Sequence, residues 1–306
     1  MMVSRSEPPG ESRRRGTIID YTGEALTLEL SSGRKTRIDS SRVRGYETER
    51  EPAHEKGNQL FKEQRYADAV ISYRNAIEQE QRRWMRRVIL AQTVRCYRNM
   101  RQIVEAGETF RLILQSDPTT PWLDAMPLAW ASSPLPAGLA ERARRWTKDN
   151  EVPAMRLIGA SWLLATASRQ EAIEVLDELS SARDPRIAKL SQIQLWRARL
   201  VTAPTEALEQ WENELMTLPD SLRAGPYFLL GKLRARHKRH QAAVLAFMRV
   251  PILYASQHDL AAEALFAAGE QLEKTGEQEG AHTVYRELVT THQDHRLAPL
   301  AQKRLP

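Results

Sequence analysis

The chain has one cysteine, Cys96, in 306 residues, so no internal disulfide can brace it. It also lacks a long apolar run. The best, from Met155 to Ala167, contains Arg156 and Ser161 and is too short to span a bilayer. The opening MMVSRSEPPGESRRRG has no apolar stretch of the kind a signal peptide needs. No phosphate loop, dinucleotide fingerprint, zinc-protease helix or serine elbow is found along the chain. Charge of one sign is not abundant: the net charge is +6. These gaps point away from membrane insertion, cofactor chemistry and enzymatic activity. What remains, 42% hydrophobic and 27% charged, is enough for a folded core.

Residues 1–15 carry Ser, Pro, Glu and Arg with almost nothing to bury and are expected to be disordered. Residues 16–50 change character. Thr17 to Tyr21 is rich in strand formers and ends at Thr22-Gly23. Leu26, Leu28 and Leu30 then alternate with polar residues, the period of a half-buried strand. Ser31-Ser32-Gly33-Arg34 signals a hairpin turn before a third strand, Lys35 to Asp39, and Val43 is expected in a short fourth. The expectation is a small antiparallel β module, similar at fold level to an SH3-like barrel.

From about Pro52 the period becomes helical, and one pattern recurs. Gly57, Leu60, Ala69, Tyr73 and Ala76 have the spacing of Gly269, Leu272, Ala281, Tyr285 and Leu288. Between them lie Tyr97, Ala106, Phe110, Ile113 and Pro118; then Ala160, Leu163, Ala172, Leu176 and Leu179. Two further sets are Leu195, Ala207, Trp211 and Pro219, and Gly231, Ala243, Phe247 and Val250. Small residues let paired helices approach, and the aromatic fills the space between them. Six helix pairs at this period make an α-solenoid.

The interval from Ala106 to Ala172 is nearly twice the usual one and holds Pro118, Pro121, Pro127, Pro134 and Pro136. Proline removes helix donors, so this stretch must be irregular. The expected organisation is repeats 1–2 over 51–118, a proline-rich break with an irregular helix over 119–150, and repeats 3–6 over 151–306. A short capping helix, Leu297 to Leu305, ends the array.

The Gly57-x2-Leu60-x8-Ala69-x3-Tyr73-x2-Ala76 spacing resembles the tetratricopeptide repeat. The first-helix tryptophan of that repeat is missing throughout. The tail from Ala264 to Leu305 is similar to repeats of bacterial cell-envelope proteins. The chain as written places the protein in the cytoplasm, and a leader upstream of this start would place it in a bacterial periplasm. The resemblance implies a concave face, lined by the first helix of each pair, that binds an extended peptide or a partner helix. By position it assigns Asn58, Arg95, Ser161, Trp196, Lys232 and Glu270 to that face. One turn further on it adds Lys62, Asn99, Arg236 and Lys274. A clamp for a C-terminal carboxylate would pair His54 and Asn58 with basic and amide partners, but Val88 and Gln92 do not supply them.

Other residue clusters read less sharply. Arg82, Arg83, Arg86 and Arg87, with Arg142, Arg144, Arg145 and Lys148, and with Arg234, Arg236, Lys238 and Arg239, give the alternative of an RNA- or DNA-associated protein. Acids nearby favour a solvated, ion-paired surface instead. His237 with His240, and His292 with His295, lack a recognised metal-ligand pattern, so no metal is expected. Cys96 reads as a packing residue. The seven tryptophans read as core, Trp196 alone doubling as an interface candidate.

Overall fold

A computed structural model describes residues 13–132 and 134–306, so most of the segment expected to be disordered lies outside the described residues. Three strands, β1 (Thr17–Tyr21), β2 (Ala25–Glu29) and β3 (Lys35–Asp39), form an antiparallel meander in that order, with a bulge between Ile18 and Asp20. Gly33, at φ 78°, makes the turn that joins β2 and β3. The fourth strand expected at Val43 is not formed. A 3-10 turn, Ser40–Arg42, takes the chain away instead, and the sheet is open rather than a barrel.

This sheet is held by helices that follow it. Arg87, only 2% exposed, ion-pairs with Asp20 and donates to the Tyr21 carbonyl at 2.8 Å. The Trp84 indole donates to Ile18 O at 3.1 Å. Tyr21, Tyr46, Trp84 and Trp122 meet edge to face. Gly23 donates to Asp117, and a Cβ there would lie 1.8 Å from Thr119 O, so only glycine fits.

Fourteen α-helices follow among the described residues: α1 (Pro52–Lys62), α2 (Tyr66–Gln79), α3 (Arg83–Asn99), α4 (Ile103–Ser116), α5 (Leu139–Thr147), α6 (Pro153–Leu163), α7 (Arg169–Leu179), α8 (Pro185–Arg199), α9 (Ala207–Met216), α10 (Ala224–Arg236), α11 (His240–Leu253), α12 (His258–Thr275), α13 (Gln278–Thr291) and α14 (Ala298–Gln302). Consecutive helices pack side by side as a solenoid. Proline opens α1, α6 and α8, where its missing donor costs nothing; Pro185 therefore starts a helix rather than ending a repeat.

The repeated residues do what their spacing required. Ala69, Ala106, Ala172, Ala243 and Ala281 are fully buried. A Cβ on Gly57 would fall 2.5 Å from the Tyr73 ring, on Gly231 2.6 Å from Phe247, and on Gly269 2.4 Å from Tyr285. Four of the turns inside helix pairs pass through a left-handed residue: Gln64, Arg101, Lys238 and Gly276. Gln64, Lys238 and Gly276 lie seven positions after Gly57, Gly231 and Gly269, Arg101 lies seven after Val94, and only the last of the four is a glycine.

Two features depart from the sequence reading. First, the long interval does not divide the array. Helix α5 wedges between α4 and α6: a Cβ on Gly107 would fall 2.4 Å from the Trp146 ring, and one on Gly159 2.5 Å from Ala143 O. Second, the array closes on itself. Arg98 donates to Gln257 at 3.1 Å, Asn99 to Ser256 O at 3.4 Å, and Gln64 to Thr291 O at 3.3 Å. Arg101 pairs with Asp259 at 3.1 Å, and the Tyr66 ring meets His258, which in turn meets His292. The first two pairs of helices thus join the last.

Replacing Gly269 with Ala is expected to cost about 1–3 kcal/mol, because the added methyl must displace the buried Tyr285 ring. Urea unfolding of the variant checks this.

A pH dependence follows from the closing seam. Burial, then the His258 and His295 charges, hold His292 down to about 4, and burial lowers His258. Both are neutral when folded and bind protons more readily when released, so stability falls as pH drops from about 6.5 toward 4. Thermal melts between pH 7 and pH 5 should show this loss, and His292→Gln should reduce it. His54, also lowered to about 4 by burial, leaves a residue of the effect in that variant.

Candidate functional site

The inner side of the array is occupied. Between α4 and α5 the chain runs as an irregular strap, described over residues 117–132 and 134–138, with Leu123, Ala125, Met126, Leu128 and Ala129 buried. Extended backbone inside a protein must find partners for its polar groups, and the first helices supply them. Arg95 on α3 pairs with Asp124 at 2.7 Å, and Arg98 donates to the Asp124 carbonyl at 2.8 Å. Trp162 on α6 donates to Pro127 O at 2.8 Å. Ser161 Oγ accepts from Ala129 N, while Gln194 and Arg197 on α8 donate to Ala129 O at 3.1 and 2.9 Å. Arg186 donates to Thr119 O and Thr120 O. Trp130 packs against Gly225 of α10. Burial pulls both Arg98 and Arg197 down to about 10, still well above neutral pH, so both stay charged.

The residues expected on a concave binding face are therefore dispersed among other tasks. Arg95 and Ser161 hold the strap, and Asn99 closes the seam. Asn58 accepts from the Tyr73 hydroxyl at 2.9 Å. Lys62 is exposed at the end of α1, Lys232 is exposed with its ammonium 5.5 Å above the Phe228 ring, and Glu270 is half-buried on α12. Arg236 and Lys274 are exposed. Trp196 is not an open groove residue: it is 3% exposed and stacks face to face on Trp211 of α9, centroids 4.5 Å apart.

That stack lines an open cleft. Two parallel indoles prop α8 and α9 apart where the other helix pairs close. A cleft of about 450 Å³ remains, within the usual size range of ligand sites. Leu195, Trp196, Ala203, Pro204, Ala207 and Trp211 line its apolar part; Gln192, Arg199, Glu206, Gln210, Glu214 and Asp177 add polar groups. Trp196 was legible as a candidate, though for a different surface. The cleft needs Trp211 as well, and the only sequence signal for it was a tryptophan at the repeat's aromatic position.

The remaining clusters are structural. Arg87 is buried under the sheet, Arg82 pairs with Glu80, Arg142 with Glu108, Arg145 with Glu141 and Arg234 with Glu212, so the arginine stripes do not form a common phosphate-facing surface. His237 contacts Thr205 and Ala203 O, while His240 contacts Gln271; the two do not converge. Among the described residues no cluster of His, Cys, Asp and Glu is arranged to hold a metal ion. Burial pushes the Cys96 thiol up to about 12, which removes it as a nucleophile at neutral pH. No helix among the described residues is long and apolar enough to cross a membrane. No protein-family model matches the chain, and no curated protein matches it in sequence.

If the strap belongs to the core, Trp162→Phe removes the indole donor and part of the buried ring, strands Pro127 O, and should cost at least about 1–3 kcal/mol. Denaturant unfolding measures this. Limited proteolysis of the native chain should leave residues 117–130 uncut.

Proposed function

We propose that this chain is a non-enzymatic protein–protein interaction scaffold of the tetratricopeptide type, and that its partner engages the α8–α9 cleft rather than the concave face. The observation that carries this reading is the propped-open hairpin. The inner face, where such an array ordinarily binds, is spent on the strap. The cleft is where the packing leaves apolar and polar groups together and accessible. The pattern shared by Gly57/Tyr73, Gly231/Phe247 and Gly269/Tyr285 supports the repeat type. The partner is a peptide segment or a helix of another protein. The alternative of nucleic-acid binding loses support because most of the clustered arginines are engaged within the chain.

The test is site-specific crosslinking in the native host. A photoreactive residue replaces Gln192 or Gln210 at the cleft, or Gln278 at the exposed start of α13 as a control. Protein adducts from the first two positions and none from the third are expected. Adducts to nucleic acid, or protein adducts from the control alone, would overturn the reading.

A further inference from the structure

Two properties of the α8–α9 cleft describe its occupant. The first is an imbalance in hydrogen bonding. Trp84, Trp146 and Trp162 are buried, and each indole N–H donates: to Ile18 O, to Glu108 and to Pro127 O. Trp196 and Trp211 are 3% and 4% exposed as residues, yet neither indole N–H has an acceptor among the described residues and neither nitrogen is fully buried, so both N–H groups open to the cleft. Both side chains line the cleft, so an acceptor from outside the chain can reach them.

The second property is charge. The chain carries +6 overall, but residues 170–216, which supply the cleft walls, contain nine acids and five bases. Asp177, Glu206 and Glu214 stand at the cleft against the single cation Arg199. Neither the Asp177 nor the Glu206 carboxylate enters an ion pair or hydrogen bond among the described residues, and the Glu214 carboxylate accepts only from Gln210. Among the described residues none of the three carboxylates is ion-paired.

We infer that the α8–α9 cleft binds an extended, lysine- or arginine-bearing peptide segment, whose main-chain carbonyls accept from Trp196 and Trp211 and whose cations face Asp177, Glu206 and Glu214. Helix α8 already shows this mode on its inner side, where Gln194 and Arg197 hold the Ala129 carbonyl of the strap. Apolar packing on the propped indoles supplies contact area, and the carboxylates select the sign of the partner's charge. This inference rests on the scaffold reading, and its test separates the two.

The experiment titrates the full chain with three end-blocked peptides of equal length by calorimetry. One alternates lysine with alanine, one glutamate with alanine, and one asparagine with alanine. The lysine peptide should bind at least about tenfold more tightly than the others, more weakly as salt rises. The double substitution Asp177→Asn with Glu206→Gln should lower that affinity several-fold. These exposed carboxylates support no other side chain, so the variant should fold normally by circular dichroism. Trp211→Phe, which keeps the stacked ring but removes its donor, should weaken all remaining binding. Equal binding of the three peptides, or lysine-peptide binding untouched by the carboxylate variant, overturns the inference. If crosslinking at Gln192 and Gln210 captures a protein while the lysine peptide shows no preference, the scaffold reading stands and the cationic occupant is wrong. If neither experiment gives a signal, both fall.

Discussion

Two arginines inside the array, Arg98 and Arg197, set the terms for the rest of the fold. A guanidinium taken out of water is costly unless its donors are met. The acceptors here are main-chain carbonyls of the strap, Asp124 O for one and Ala129 O for the other, with Ser161 O also bonded to Arg197. The strap in turn has no regular partner for its own backbone and depends on those arginines, on Trp162 and on Gln194. Neither side is stable in this position without the other. The irregular segment is therefore core in the energetic sense, although it has no regular secondary structure beyond one short 3-10 turn.

This arrangement changes what a helical repeat array can offer a partner. An open solenoid presents a long inner surface. Here the inner surface is filled, α5 fills the gap left by the irregular interval, and the seam from Arg101–Asp259 to Tyr66–His258 ties the ends together. Closure limits the flexing that lets open arrays adapt to ligands. Recognition moves to places where the packing is interrupted, and the Trp196–Trp211 stack is such an interruption. The β meander is also tied in, through Arg87 and Trp84, so it behaves as an extension of the second helix pair rather than a separate module.

The candidate site was only half legible. Trp196 and Arg95 are candidates because each follows the recurring first-helix position of its repeat, and Asn99 because it lies one turn beyond Arg95. Position within a repeat tells which helix face a residue occupies. It does not tell what that face meets. Arg95 meets Asp124, twenty-nine residues away and across an irregular segment, and Asn99 meets Ser256 at the far end of the chain. One signal for the strap was present: from Pro118 to Gly138 the only charged residue is Asp124. A solvated linker of that length would carry more charge. The proline count marks irregularity, and irregularity alone does not say whether a segment lies inside or outside the core.

What the sequence by itself determined are the local matters: the hairpin at Gly33, the helix pairs, and the crossings where Gly57, Gly231 and Gly269 leave room for an aromatic sixteen residues later. These depend on periodicity and residue size within a few turns of chain, and any folded state of this sequence must satisfy them. Tertiary structure alone decided that the array closes, that the strap fills it, and that Trp196 and Trp211 face each other. Those outcomes depend on how small rotations between successive helices accumulate over the whole array, and on which buried donors then meet which carbonyls. No local pattern encodes that sum.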